Sequence, residues 1–239
     1  RDLCRMWEVD PQGAIVAHDL HPDYHATRAA LALPAARRVA VQHHRAHVAS
    51  VLAERGAWEA PVVALARDGT GYGDDGAIWG GEVFAGSLAG GLARRAHLAP
   101  VQLPGGDAAA LYPPQCLAGF VAGLDPSAAE GPDAGAPALA MPTRYALALS
   151  LASAGERVHA STSIGRLFDA LAALCGFTRE IPFEGQAAIA LEQLACGGRA
   201  EAYPLPWTGE ELDWRPLVAA ALDDRRAVVL PGAACLVGV

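Results

Sequence analysis

Short apolar runs between turn residues fill the first half of the chain, and helical spacing of apolar residues dominates the second half. Short runs bounded by Gly, Pro or Asp are typical of strands, whereas apolar residues three or four apart are typical of helices. The predicted strands are Gly13–Ala17, Val39–Val41, Val62–Ala66, Ala77–Ala85 and Arg95–Leu103, and the first and third of these are expected to be buried. The predicted helices are His25–Leu33, His43–Arg55, Thr143–Ser153, Arg166–Cys175, Gln186–Ala195 and Trp214–Leu222. Strands followed by helices predict an α/β or α+β lobe.

Turn residues divide these elements. Pro22 disfavours helical geometry at His21, so the segment from Asp19 to Tyr24 is predicted as a loop. Gly56 occupies the position typical of a glycine that ends a helix, and Asp75-Gly76 predicts a hairpin turn. The Pro-, Gly- and Ala-rich stretch Asp125–Pro142 predicts a loop or linker.

Composition narrows the function classes. With 239 residues, 52% of them apolar and 18% charged, the chain can bury a core. A net charge of -8 argues against a nucleic-acid partner. The sequence has no lysine, which excludes a P-loop lysine and Schiff-base chemistry. Five scattered cysteines suit a reducing cytoplasm, and no apolar run is long enough to span a membrane.

Three of the eight histidines fall within five residues, at positions 43, 44 and 47. His43 and His47 are four apart, a spacing that places two imidazoles on one helix face, where they can share a metal ion. A third ligand is needed, and Asp68, at the end of the next predicted strand, is the natural candidate. Zinc, iron and manganese all suit two histidines and a carboxylate.

Glycine-rich segments are the candidates for nucleotide contacts. The residues from Asp68 to Gly73 predict either a phosphate-cradling turn or an ordinary hairpin with turn glycines, and their pattern alone does not separate the two. Plain turns are the favoured interpretation of Trp79–Glu82 and Pro104–Asp107. Ser161 or Ser163 is predicted to cap a helix rather than to act as a nucleophile.

Taken together, seven blocks in this order resemble the HypF family of carbamoyltransferases, from Asp19 to about Leu222. The blocks are Ala17–Tyr24, Val41–His47, Asp68–Gly73, Ala77–Glu82, Leu103–Asp107, Gly165–Ala170 and Glu184–Ala188. The related tRNA threonylcarbamoyltransferases usually carry Glu and Lys where this chain has Arg166 and Ala170, which favours the hydrogenase branch.

The resemblance implies an actin-like ATPase (ASKHA) fold and an ATP-dependent carbamoyltransferase of NiFe-hydrogenase maturation. Such an enzyme uses carbamoyl phosphate and ATP, and it passes the carbamoyl group from carbamoyl-adenylate to the C-terminal cysteine of the partner protein HypE. The resemblance also implies that His43, His47 and Asp68 bind a zinc or iron ion and that Mg²⁺ accompanies the nucleotide. It implies catalytic roles for His44 and Asp68. The implied nucleotide-binding residues are Gly69, Thr70, Gly71, Gly73, Gly80, Gly81, Gly165, Asp169, Glu184 and Gly185.

The same resemblance divides the chain. Residues 1–36 are expected to end a first lobe and its connector, and residues 37–239 to form the metal- and nucleotide-binding domain, truncated at its C-terminus. The family's later Gly-Gly-Val-Phe-Gln-Asn block and a further Asp near the metal are absent, and Ala227–Val239 departs from the pattern. Two alternatives stay open: an O-carbamoyltransferase of small-molecule biosynthesis, and an inactive fragment that only docks on HypE.

Overall fold

A computed structural model describes residues 2–124, 141–196 and 201–227. The helices are α1 Asp2–Met6, α2 His25–Ala32, α3 His43–Glu54, α4 Pro113–Ala122, α5 Thr143–Ala154, α6 Ile164–Leu174, α7 Gln186–Ala195 and α8 Arg215–Ala227. The strands are β1 Ile15–Asp19, β2 Arg37–Val41, β3 Val62–Tyr72, β4 Ile78–Ser87, β5 Gly91–Leu98, β6 Val101–Pro104, β7 Val158–Ser161, β8 Trp207–Thr208 and β9 Glu211–Leu212. No helix within these segments has the length and apolarity needed to cross a membrane.

A small parallel sheet pairs β1 with β2 through the crossover helix α2, and its register joins Ile15 to Arg37 and Asp19 to Val41. The predicted domain boundary after residue 36 falls between these two strands and stays a prediction. β1 was predicted as a buried strand from Gly13 to Ala17. That prediction was wrong in burial, because Ile15 is 67% exposed, and the strand begins two residues later than expected.

The larger sheet has the strand order β6-β7-β4-β5-β9-β8, with β3 paired to β4. β3 and β4 form the predicted hairpin, and Gly76 takes the left-handed backbone conformation (φ 79°) in its turn. The side chains of β3 alternate between covered and open, and Val63 and Leu65 are 76% and 69% exposed. The prediction of a buried strand there was therefore wrong for one face.

Two glycine-rich segments predicted as turns are parts of strands. β3 continues through Asp68 to Tyr72, with an irregular register between Arg67 and Gly71, and Trp79–Glu82 lies inside β4. The glycines permit a strand to pass close to its neighbours instead of reversing the chain. By contrast, Pro104–Asp107 does turn, with positive φ at Gly105 and Gly106.

Helices α4, α6 and α8 pack on one another, α4 also packs on β6 and α6 on β3 and β4, and together they bury the main core. Its fully buried large side chains include Leu98, Leu117, Phe120, Leu171 and Trp214. Helix α4 was not predicted, although Pro113 and Pro114 at its start are a recognised helix-start signal.

The remaining predictions of secondary structure were correct for helices and wrong for one strand. Helices α2, α3, α5, α6, α7 and α8 lie where they were predicted, within two residues at their ends, except that α8 continues five residues past its predicted end, to Ala227. The single strand predicted over Arg95–Leu103 is instead β5 and β6, interrupted at Ala99-Pro100, where proline has no N–H to donate. Of the predicted linker, residues 125–140 lie outside the described residues, as do residues 228–239 of the predicted C-terminal departure.

Candidate metal centre and adjoining cleft

The first turn of α3 carries the histidine pair. The Gln42 side chain caps this helix by accepting a hydrogen bond from the Arg45 backbone N–H (2.9 Å), so the helix begins at His43. One turn on, His47 brings its Nε2 to within 3.3 Å of His43 Nε2. The predicted pairing of the two imidazoles on one helix face is present.

Asp68 on β3 faces this pair. Its Oδ2 lies 3.0 Å from His43 Nε2, 3.4 Å from His47 Nε2 and 3.6 Å from His44 Nε2. One ligand atom from each of His43, His47 and Asp68 falls within a 4.8 Å group. Asp68 Oδ2 and His44 Nε2 are buried without a hydrogen bond, a state that costs free energy unless another group satisfies these atoms. Two imidazoles and a carboxylate converging on a shared point fit a divalent cation.

His44, predicted to be catalytic, is fully buried behind this centre. The amide Nε2 of Gln42 lies 3.0 Å from His44 Nδ1 and also donates to the Tyr72 carbonyl. This arrangement assigns Nδ1 as the acceptor and places the ring proton on Nε2, toward Asp68. Burial lowers the pKa of His44, which favours the neutral ring. A catalytic role for His44 stays a prediction, and its Nε2 lies 3.6 Å from Asp68 Oδ2.

Asp19 is a site residue that the sequence analysis did not identify. Its Oδ2 lies 2.8 Å from Nδ1 of His43, on the opposite edge of the ring from Asp68. Burial of the carboxyl acts to raise its pKa, but hydrogen bonds from the His21 backbone N–H and from His43 outweigh this and lower it. A signal existed, because parallel strands present their carboxyl ends at one edge, and β1 ends at Asp19 just as β2 leads into His43.

A cleft of about 300 Å³ adjoins the candidate metal centre, and Asp68 lines it. The predicted residues that line it are Asp68, Gly69, Gly165, Asp169, Glu184 and Gly185. They come from β3, the start of α6 and the turn before α7. Asp68 therefore belongs to both the histidine cluster and the cleft.

Close packing of α6 against β3 shapes the cleft. Ser163 caps α6 as predicted: its Oγ accepts from the Arg166 backbone N–H (3.1 Å) and donates to the Gly69 carbonyl (2.5 Å). A Cβ atom on Gly165 would lie 2.9 Å from Gly69 Cα, so only glycine permits this approach.

Arg166, whose role the sequence left open, lies in the wall of the cleft and is 3% exposed. It pairs with Asp169 (3.2 Å) and with Glu184 (3.0 Å), and it thereby links α6 to the turn before α7. Burial raises the pKa of Asp169 to about 6, although Arg166 opposes the shift.

The remaining predicted nucleotide residues do not line this cleft. Gly71 packs under the histidines, where a Cβ would lie 2.5 Å from His44 Cε1, and Gly73 packs against Trp79. Gly80 and Gly81 are buried inside β4, and Cβ atoms there would meet the backbone of Asp68, Thr162 and Ser163. Thr70 is exposed. Contact of these residues with a nucleotide stays a prediction, while their observed role is packing.

Comparison with known proteins shows that this chain is similar to one family of enzymes. The family described as "Carbamoyltransferase, Kae1-like Domain, second subdomain" matches residues 64–235, and "HypF Kae1-like domain" matches residues 1–54. Carbamoyltransferase HypF2 of Cupriavidus necator is 44% identical over 200 residues, which cover 81% of this chain and 23% of that protein. Carbamoyltransferase HypF of Synechocystis sp. is 40% identical over 249 residues, covering 94% of this chain and 31% of that protein.

Solved structures agree. A crystal structure of full-length HypF in a phosphate- and nucleotide-bound form superposes with a TM-score of 0.79 at 30% identity, covering 99% of this chain and 30% of that one. The HypF structure from T. kodakarensis gives 0.69 at 32% identity, covering 85% of this chain and 28% of that one. The predicted fold is thereby confirmed. This chain spans less than a third of each of these four proteins, and it belongs to the HypF carbamoyltransferase family, within the Kae1-like domain.

Proposed function

We propose that this chain forms the carbamoyl-transfer site of a NiFe-hydrogenase maturation enzyme. The reaction passes a carbamoyl group from carbamoyl-adenylate, made from carbamoyl phosphate and ATP, to the C-terminal cysteine of HypE. The observation that carries the proposal is the position of Asp68. Its carboxylate faces His43 and His47, and the same residue lines the cleft formed by β3, α6 and the turn before α7.

His43, His47 and Asp68 would hold a divalent ion such as zinc or iron. When bound, such an ion acts as a Lewis acid toward a carbonyl or phosphoryl oxygen. The chain's own residues fix the ligand geometry. The Gly69 N–H donates to Asp68 Oδ1 (2.7 Å), which leaves Oδ2 directed at the histidines.

The adjoining cleft would hold the adenylate, with Mg²⁺ accompanying the nucleotide phosphates. The N-terminal end of the 11-residue helix α6 opens onto it, and a helix N-terminus favours anionic groups. Asp169, Glu184 and Gly185 supply carboxylate and backbone groups that can hydrogen-bond a nucleoside. This arrangement needs no lysine, in keeping with the composition.

In the transfer step the thiolate of the acceptor cysteine attacks the carbamoyl carbon. A C–S bond forms, the bond from that carbon to the phosphate oxygen breaks, and AMP leaves with the electron pair. The nucleophile comes from the partner. Within this chain, Cys116 is unsuited to the role, because it is fully buried and burial raises the pKa of its thiol.

The direct test supplies carbamoyl-adenylate and HypE to the purified chain and follows HypE by intact-mass spectrometry. The proposal predicts that HypE gains the mass of one carbamoyl group, and that HypE without its terminal cysteine gains nothing. An Asp68→Ala chain should lose the activity. No mass gain with the wild-type chain, or equal gain with Asp68→Ala, would contradict the proposal.

A further inference from the structure

We infer that Asp19 is a positioning residue of the metal centre, which fixes His43 as the anchored histidine of the pair. The inference rests on the proposed metal centre and adds to it a carboxylate from the small β1–β2 sheet. Asp19 touches Nδ1 of His43, the ring edge away from Asp68 and His47, so it is placed to orient the ring rather than to join the ligand cluster.

The Asp19 carboxylate is itself held in place. Its Oδ1 accepts from the His21 backbone N–H at 2.7 Å, inside the turn that follows β1. The β1–β2 register places Asp19 beside Val41, two residues before His43. The Thr27 hydroxyl on α2 donates to the Asp19 carbonyl at 3.3 Å. Contacts on both the side chain and the main chain thus keep Oδ2 within 2.8 Å of the histidine.

The hydrogen bond selects one form of the His43 ring. A carboxylate only accepts, so Nδ1 carries the proton, and the Nε2 lone pair is left for a metal ion beside Asp68. A carboxylate on the far nitrogen of a metal-binding histidine fixes its ring orientation and raises its basicity, and losing such a partner typically weakens metal binding about 10- to 100-fold.

The two histidines are therefore unequal. The His43 side chain is 27% exposed and lies between Asp19 and Asp68, whereas the His47 side chain is 61% exposed. Removal of Asp19 leaves all three proposed ligands present and frees one of them to rotate. A loss of affinity without a loss of ligands is the signature of a positioning residue.

Calorimetric titration of the metal-stripped chain with Zn²⁺ tests the inference, using wild type, Asp19→Ala, Asp19→Asn and Asp23→Asn. Asp23 is the matched control, because it lies in the turn that follows Asp19 but pairs with Arg28 at 3.0 Å. We expect one site of unchanged stoichiometry, about 10- to 100-fold weaker in Asp19→Ala, with Asp23→Asn equal to wild type. The His43 Nδ1 proton should give a downfield proton resonance in zinc-loaded wild type and Asp23→Asn, and it should vanish in Asp19→Ala.

Equal affinities for wild type and Asp19→Ala, with the same His43 resonance, would overturn the positioning role and leave the metal centre intact. A wild-type chain that binds no Zn²⁺ would instead overturn both the metal centre and the inference. If Asp19→Ala fails to fold by circular dichroism, the near-isosteric Asp19→Asn decides. It should bind more weakly than Asp23→Asn, and equality of the two would refute the inference.

Discussion

Asp169 is a buried carboxyl whose ionisation works against folding. Its side chain is nearly inaccessible, and burial raises its pKa from 3.8 to about 6 even with Arg166 alongside. A carboxyl with a raised pKa in the folded state contributes stability that is fully present below pH 3.8 and is lost as the pH rises through about 6. The difference between the two pKa values corresponds to about 3 kcal/mol.

We therefore predict that Asp169→Asn changes the pH profile of the free energy of unfolding. Between about pH 4 and pH 6.5, the wild-type free energy of unfolding should fall relative to that of the variant, because only wild type must ionise a buried carboxyl. Urea unfolding at a series of pH values measures the difference. The comparison concerns the slope with pH, since the variant also alters the pairing with Arg166. Two parallel profiles would show that the carboxyl titrates normally.

Some residues of the candidate site could be identified from the sequence and others could not. The histidine spacing and Asp68 could be identified, because helix periodicity is local and the next strand end is a natural source of a third ligand. Asp19 could not be assigned from spacing, because its contact with His43 depends on the pairing of two parallel strands. Arg166 carried only part of its signal locally: Asp169 lies three residues on in the same predicted helix, whereas Glu184 meets Arg166 only in the folded chain.

Among the elements, β4 carries one buried carboxylate, Glu82, that hydrogen-bonds to neighbouring segments. Glu82 Oε1 accepts from the backbone N–H groups of Gly80 (3.0 Å) and Gly81 (3.2 Å) and from the hydroxyl of Thr162. Its Oε2 accepts from Arg94 Nε on β5 at 2.6 Å. These bonds link β4 to β5 and to the segment that enters α6, so Glu82 supports one wall of the cleft indirectly.

We therefore expect that Glu82→Ala lowers the free energy of unfolding of the chain. The substitution leaves Arg94 with one ion pair, to Asp75 at 3.8 Å. It also removes the acceptor of the Gly80 and Gly81 N–H groups and of the Thr162 hydroxyl. Breaking a buried pair in this way typically costs about 3–5 kcal/mol. Chemical denaturation measures the loss, with the exposed Glu59→Ala as control. If Glu82→Ala loses no more free energy of unfolding than Glu59→Ala, the Glu82 hydrogen bonds do not stabilise the fold.

Predictions of elements succeeded where the signal was local. The β3–β4 hairpin and helices such as α3 and α6 follow from turn residues, caps and periodicity. They failed where glycine was taken as a turn signal, as in Asp68–Gly73 and Trp79–Glu82. There glycine serves close approach between a strand and its neighbours, which becomes visible only once tertiary packing is known.

At the scale of the molecule, the candidate site is assembled from five separated segments. They are Asp19 and residues 43–47, 68–69, 163–169 and 184–185, from the end of β1, from α3, β3 and α6, and from the turn before α7. The predicted α/β fold is confirmed, but the sharing of Asp68 between the candidate metal centre and the cleft could not be predicted from the sequence. That sharing depends on the packing of α6 against β3, which the Ser163 cap and Gly165 make possible.

The proposed carbamoyl-transfer site depends on a metal centre that His43, His47 and Asp68 form beside the cleft. The most direct measurement is the metal content of the purified chain by elemental analysis, compared with His43→Ala/His47→Ala, with circular dichroism to confirm folding. We expect one divalent ion per chain in wild type and none in the folded double variant. Metal absent from wild type, or retained in full by the double variant, would contradict the proposed metal centre.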